Sequence, residues 1–539
     1  MFGKIALPKD PSNGDLNQVV TPGRERRAMS EYIQCEKDVK FSDSILDPSY
    51  KEDFRRISEV LFGEMFKKIE FTLSTQHLTP KHGPGTVADR LSSNAKYNSR
   101  TWTTRLEQVF PAQAYLSVSN RVNGYSDSDL PMVFHGESAT SHLYKMESSE
   151  RFNILEPGSE MPVRVITVPK TLKAPRIIAI EPTCMQYVQQ GLFDVIRDGL
   201  KRDNLLSSMI GIDDQDPNRS MAREGSLSGD LATLDLSEAS DRVSNQHVLD
   251  LFAGYPLLLA GVQASRSRKA DVPGYGVQRL AKFASMGSAL CFPVEAMVFL
   301  TVIFLGIERE LSVPLSDSRD VTPFCQQVRV FGDDLIVPRD YVLSVVDALY
   351  DFGHKVNISK SFWTGRFRES CGREYYDGHD VSIVKVRELL PTRRQDASGV
   401  ISVVSLRNQL YWAGLWKSAA WLDSYIGKLL KVFPNVASTS PVLGRESALG
   451  YQFESLDPYT HSPLVRGYYV DAQPPRDHLE GEGALLKCLL RMEQPTYGIK
   501  PIFGQANPRI CDANVDDEHL ERSGRPEHVN IKLGRRSPF

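Results

Sequence analysis

Hydrophobic and polar positions change period between residues 229 and 250, GDLATLDLSEASDRVSNQHVLD. Ala232, Leu234 and Leu236 alternate with Leu231, Thr233 and Asp235, the period-two pattern of a strand. Ser237 then offers a helix N-cap, and Val243 and Leu249 predict a helix beyond it. Asp235 thus falls at the carboxyl end of a strand, where α/β folds gather ligands, with Asp241 in the early turns of the helix. In QQVRVFGDDLIVPRDY, two apolar β-rich runs flank Gly332-Asp333-Asp334, predicting a hairpin with the acids at its tip. VRVITVPK and RIIAIEP predict another hairpin, joined by Thr171 to Pro175. Ser285-Met286-Gly287-Ser288 reads as a small-residue turn feeding a helix, AMVFLTVIFLGI. That apolar run is 12 residues long, against the ~20 a membrane span requires, so a buried core helix is expected.

The flanks are less patterned. Residues 1–60 are polar and punctuated by Pro and Gly, and read as an arm or peripheral layer. Residues 80–108 interleave Arg90, Lys96, Arg100 and Arg105 with Tyr97 and Trp102. That mixture suits a phosphate-and-base surface, and equally a solvated helix face with two core aromatics. Trp412 and Trp416 stand at i,i+4 and, with Trp421, are expected to pack the core of a helical C-terminal region. The tail from 521 carries Arg522, Arg525, Lys532, Arg535 and Arg536 and reads as flexible, fit to touch RNA or a partner.

Composition changes this picture little. The chain has 539 residues and a formal net charge of −3, with 41% hydrophobic and 24% charged residues. Collagen-like, wholly disordered and disulfide-scaffold classes are excluded. Near-neutrality means that any polyanion site must come from local clustering. Seven scattered cysteines without a Cys-x-x-Cys pair fit a reducing compartment. The N-terminal stretch lacks an apolar signal region, so no secretory signal is expected.

Candidate chemistry lies in three places. Between 161 and 202, seven basic residues face three acidic ones, and the predicted hairpin would bring Lys170, Lys173 and Arg176 together. Such a cluster offsets the charge of a triphosphate, although a generic basic hairpin would look the same. Asp235, Asp333 and Asp334 would supply carboxylates from two elements. Carboxylates, waters and phosphates together are the usual shell of Mg²⁺. Two such ions ~3.5–4 Å apart suit in-line phosphoryl displacement. Lys360 is a candidate general acid, or else a surface lysine on a β-rich edge. Cys371, with no His near it in sequence, reads as structural.

Taken in order, the basic hairpin, Asp-x5-Asp, the Ser-Met-Gly loop with its helix and the Gly-Asp-Asp hairpin resemble the motif series of right-handed RNA-dependent RNA polymerases. More narrowly, the chain resembles the replicase β subunits of positive-strand RNA bacteriophages, the Qbeta-like group. The carrying stretches are TVPKTLKAPRIIAIEP, DLSEASD, SMGSALCFPVEAMVF, VFGDDLIV and KSFWTGRFRESCGREYYDGHDV. HGPGTVAD and RTWTTRLEQVFP resemble that family's N-terminal fingers, and the likeness runs from about residue 80 to about 390.

The resemblance implies an α+β right hand of fingers, palm and thumb with an RRM-like antiparallel palm. The arm and fingers would occupy 1–160, the fingers with the basic hairpin 161–228, the palm 229–390 and a mostly helical thumb and tail 391–539. Asp235, Asp333 and Asp334 would hold two Mg²⁺ ions, with Mn²⁺ able to substitute. Lys170, Lys173 and Arg176 would lie along the incoming NTP. Ser240, Asp241, Gly287 and Ser288 would complete the nucleotide site, with either Ser240 or Asp241 sensing the ribose. Ser288 stands where Asn is frequent, and Phe331 replaces the more frequent Tyr. The expected activity is template-directed RNA synthesis in the cytoplasm of an infected bacterium. Host elongation factors Tu and Ts and a ribosomal RNA-binding protein are the partners implied. A reverse transcriptase and a non-catalytic RNA-binding subunit are the alternatives; polar Ser240 and Asp241 after Asp235 favour ribonucleotides, and the intact acids favour catalysis.

Overall fold

The computed structural model describes residues 22–75, 78–83, 85–91, 93–118, 152–168, 175–386, 388–473, 480–493 and 528–539. It divides into two compact units, Met1–Val381 with Leu479–Pro508, and Ser382–His478 with Arg509–Phe539. Helices and mostly antiparallel sheets are mixed in both, an α+β architecture.

The first unit is built on a four-stranded antiparallel sheet. Its strand Leu231–Ser237 lies between Lys355–Val356 and Asp334–Pro338, with Arg329–Phe331 at the far edge. Ala232, Leu234 and Leu236 are buried as the alternation predicts, and Leu231 and Thr233 are buried too, so both faces are covered. Against the sheet lies the helix Cys291–Leu311, buried from Val294 through Ile307. It is long and apolar enough to cross a membrane, yet 89% of its apolar window is inside the protein. The helix Val342–Asp351 crosses it closely: a Cβ on Gly306 would stand 2.6 Å from the Val345 Cα.

Two expectations for this unit fail. Ser237 does not cap a helix; it is the last strand residue, and Glu238 takes a left-handed turn at φ 54°. A four-residue helix, Ala239–Arg242, follows, and Ser244 caps the next one, Asn245–Leu251, by accepting from the Gln246 amide. Nor are residues 22–60 a peripheral arm. Pro22 and Pro48 open the long helices Pro22–Ile45 and Pro48–Ser74, since proline's missing N–H costs nothing at a first helical position. The second helix sends Phe54, Ile57, Phe62 and Phe66 into the central core.

A second sheet joins Val163–Val168 to Arg176–Ile180 as the predicted hairpin, extended by Lys269–Val272 and Gly276–Arg279. In the basic and aromatic stretch before it, Arg90 is exposed and Tyr97 and Arg100 are half-buried, whereas Lys96, Trp102 and Arg105 are interior. Trp102 is buried and donates to the Phe110 carbonyl. Lys96 donates to the carbonyls of Gly83 and Gly85, and Arg105 forks onto Glu160 at 2.7 Å from both carboxylate oxygens. Lys96 and Arg105 thus form neither a phosphate surface nor a solvated helix face, because protein partners hold them inside; of the two aromatics, Trp102 is core as expected.

In the second unit, helices Ala397–Trp412 and Trp416–Leu430 pack Val400, Val403, Leu422, Ile426 and Leu430 together. Trp412, Trp416 and Trp421 are not in that core; they are 58%, 68% and 59% exposed. Gly414, at φ 76°, ends the first helix between Trp412 and Trp416, so the i,i+4 relation never forms. The tail is likewise not all flexible. His528–Arg536 is a strand paired along Pro463–Gln473, while Arg522 and Arg525 lie outside the described residues. Helix Gly481–Glu493 belongs to the first unit and not with the C-terminal helices, through buried Leu486, Leu489 and Leu490 and an Arg100–Glu482 ion pair at 2.9 Å.

Candidate active site at the end of the central sheet

The carboxylates are brought together by strand register. Asp235 stands directly opposite Asp334 in the antiparallel pair, and the Leu236 amide donates to the Asp333 carbonyl at 3.3 Å. Asp333 sits exposed at the hairpin tip, where Phe331 pairs with Asp334. The turn needs glycine. Gly332 has φ 58°, and a Cβ there would come 2.7 Å from the Phe292 ring. Phe331 rests edge-on against Phe292, ring centroids 5.1 Å apart, so this position is filled by packing.

Charge is concentrated at that end. Burial, then the neighbouring carboxylate of Asp333, push the Asp334 carboxyl up to about 7, against a bond from the Cys371 amide at 3.2 Å. Burial also raises Asp235, opposed by the Lys360 ammonium and by Asn357. Lys360 Nζ lies 3.5 Å from Asp235 Oδ2, and Asn357 Nδ2 donates to the same oxygen at 2.9 Å. Asn357 carries no sequence signal; it reaches Asp235 because Lys355–Val356 pairs with the end of the Asp235 strand. Buried Glu295 is a second unforeseen acid, close beneath the turn: a Cβ on Gly332 would lie 3.3 Å from its Oε1, and burial holds it well above its usual range.

Among the described residues, no group of three or more His, Cys, Asp or Glu side chains forms a ready-made metal cage. Mg²⁺ seldom uses one; one or two carboxylates with waters and substrate phosphates complete its shell. The donor set is all oxygen: Asp235 faces Asp334 across the strand pair, with the exposed Asp333 carboxylate next to it at the hairpin tip. The residues present therefore fit a divalent cation.

The remaining predicted residues distribute around this end. Asp241 Oδ1 accepts from Lys282 Nζ at 3.0 Å and from the Ser285 hydroxyl at 2.8 Å. The Ser240 hydroxyl pairs with the buried Cys291 thiol. The Ser288 hydroxyl donates to Gln189 Oε1 at 3.1 Å. Gly287, at φ 131°, lets its loop lie on the Arg176–Ile180 strand: the Ala179 amide donates to the Met286 carbonyl at 2.8 Å, and a Cβ on Gly287 would stand 2.0 Å from the Ala179 oxygen. Arg176 starts that strand and is exposed, whereas Lys170 and Lys173 lie outside the described residues. Burial, with Asp334 nearby, pushes the Cys371 thiol up to about 12, which suits a structural residue and not a nucleophile.

Known proteins share this stretch. The family model described as RNA replicase, beta-chain, matches residues 146–414. The RNA-directed RNA polymerase subunit beta of Qbeta virus (strain MX1) is 35% identical over 47% of this chain and 40% of its own length. The RNA-directed RNA polymerase beta chain of Escherichia phage MS2 is 34% identical over 40% of this chain and 36% of its own. The chain thus matches about two fifths of the length of these curated relatives. Among solved structures, the RNA-dependent RNA polymerase of BmCPV at its elongation state aligns at 10% identity and TM-score 0.36, over 66% of this chain and 31% of that one. Through residues 146–414 the chain belongs to the RNA replicase beta-chain family.

Proposed function

We propose that the chain is an RNA-directed RNA polymerase that copies a viral RNA template from ribonucleoside triphosphates. The observation that carries this reading is the facing of Asp235 and Asp334 across one strand pair with Asp333 at its tip. In the right-hand description, the sheet holding these acids is the palm, the Arg176 hairpin belongs to the fingers and the Ala397–Leu430 helix pair to the thumb.

Asp235, Asp333 and Asp334 would hold two Mg²⁺ ions, which when bound lower the pKa of the attacking 3′-hydroxyl and offset the charge of the pyrophosphate. The protein's own residues do the rest. Asn357 fixes the Asp235 carboxylate by its amide, and the Cys371 amide fixes Asp334. The Arg176 guanidinium, with Lys170 and Lys173, offsets triphosphate charge. Lys360 is exposed beside Asp235 and is the residue proposed to protonate the departing pyrophosphate. Asp241, held on the early helix after the strand, meets the ribose, with Ser240 turned to Cys291. The Gly287 loop, pressed on the hairpin strand, and Ser288, braced by Gln189, shape the floor of that site.

The cytoplasm of an infected bacterium, and docking of elongation factors Tu and Ts with a ribosomal RNA-binding protein, are proposed from the resemblance alone. A reverse transcriptase is the second reading; polar Ser240 and Asp241 speak against it. Incorporation of NTPs and dNTPs on one RNA template separates the two: preference for NTPs is expected, and preference for dNTPs overturns the choice.

A further inference from the structure

The helix Pro22–Ile45 presents Tyr32, Cys35, Glu36 and Val39 inward at three- and four-residue spacing. Tyr32 and Glu36 meet Lys282, whose side chain is 0% exposed. Its ammonium lies 3.3 Å from the centroid of the Tyr32 ring, 3.4 Å from Glu36 Oε1 and 3.0 Å from Asp241 Oδ1. The Tyr32 hydroxyl also meets the Ser285 hydroxyl at 3.1 Å, and that hydroxyl donates to Asp241 Oδ1 at 2.8 Å. The Cys35 thiol bonds the Asp241 carbonyl at 3.3 Å. Both partners of Oδ1 are therefore held by one N-terminal helix, while Oδ2 has no hydrogen-bond partner among the described residues. The same helix meets the basic hairpin, where the Thr167 hydroxyl donates to Glu25 at 3.0 Å.

A buried ammonium is costly unless paired, and two carboxylates with an aromatic face supply the pairing. Flexible surface lysines cannot fix a carboxylate's rotamer; a lysine enclosed on all sides can. We infer that Lys282 and Tyr32 are positioning residues for sugar selection: they lock Asp241 through Oδ1 so that Oδ2 is left to accept a hydrogen bond from the 2′-hydroxyl of the incoming nucleotide. This deepens the proposed function and rests on its reading of Asp241 as the group that meets the ribose. The N-terminal helix thereby becomes part of the nucleotide site, although it touches no nucleotide.

The test is primer extension by the full chain, measuring kcat and KM for each NTP and its 2′-deoxy analogue. Asp241→Ala, which removes the hydrogen-bonding group altogether, comes first; unchanged discrimination there refutes the ribose reading itself, and with it this inference. With that reading standing, Lys282→Met is expected to lower NTP-over-dNTP discrimination by roughly tenfold, through a raised KM for NTPs and little change for dNTPs. Should Lys282→Met fail to fold, Tyr32→Leu decides: it removes ring and hydroxyl and is expected to lower discrimination several-fold. Tyr32→Phe keeps the ring on the ammonium and is expected to retain most of it. Folded Lys282→Met or Tyr32→Leu protein with wild-type discrimination overturns the inference, as does an equal loss of kcat on both substrates.

Discussion

Asp334 keeps its proton up to about 7 in the folded chain, against 3.8 for a free carboxyl, because it is buried beside Asp333 and Asp235. The folded state thus binds more protons than the unfolded one across that window. Stability contributed by this group is complete below 3.8 and is lost as pH rises through 7. Thermal unfolding of divalent-free protein is expected to show Tm falling from pH 4 towards pH 8, with Asp334→Asn flattening the slope. Mg²⁺ should raise Tm more at pH 8 than at pH 5, because at low pH it must displace a proton; equal gains at both would contradict the metal assignment. Gly287 makes a separate prediction. Alanine there meets the Ala179 oxygen at 2.0 Å in a backbone region that L-residues avoid. Gly287→Ala should cost about 2 kcal/mol or more in denaturant unfolding.

Elements set which residues meet, and here reading from sequence had uneven reach. The strand through Asp235 and the Gly-Asp-Asp hairpin were legible because their alternation and β-rich flanks admit one period. The N-terminal helices were not, since Pro22 and Pro48 look like breaks when they are first helical residues. The tryptophan helix misled because one left-handed Gly414 separates residues whose spacing otherwise suggests a shared face. Asn357 and Lys282 were invisible: their partners lie 122 and 41 residues away in sequence. Two predictions belong to this scale. Asn357→Ala loosens Asp235 and should lower kcat about 10- to 100-fold with NTP KM less affected, read by single-nucleotide extension. Gly306→Leu forces apart the helices that cross at Val345, and should destabilise the chain by about 1–3 kcal/mol in the same denaturant assay.

For the whole molecule, a net charge of −3 conceals unequal roles for its charges. Lys96, Arg105 and Lys282 are buried with protein partners, whereas Arg176 is exposed at the start of the strand on which the Gly287 loop lies. RNA affinity should therefore fall steeply with salt, as phosphate contacts do, despite the near-neutral total. The central claim is that Asp235, Asp333 and Asp334 make this chain a template-directed RNA polymerase. The direct measurement is RNA synthesis by the purified full chain on a defined RNA template with four NTPs and Mg²⁺, with and without bacterial extract, comparing wild type with Asp333→Asn. The account predicts product complementary to the template from wild type, and product reduced by roughly 10²-fold or more in the variant. Equal synthesis by the two proteins, or no template-dependent product from wild type in either condition, would contradict it.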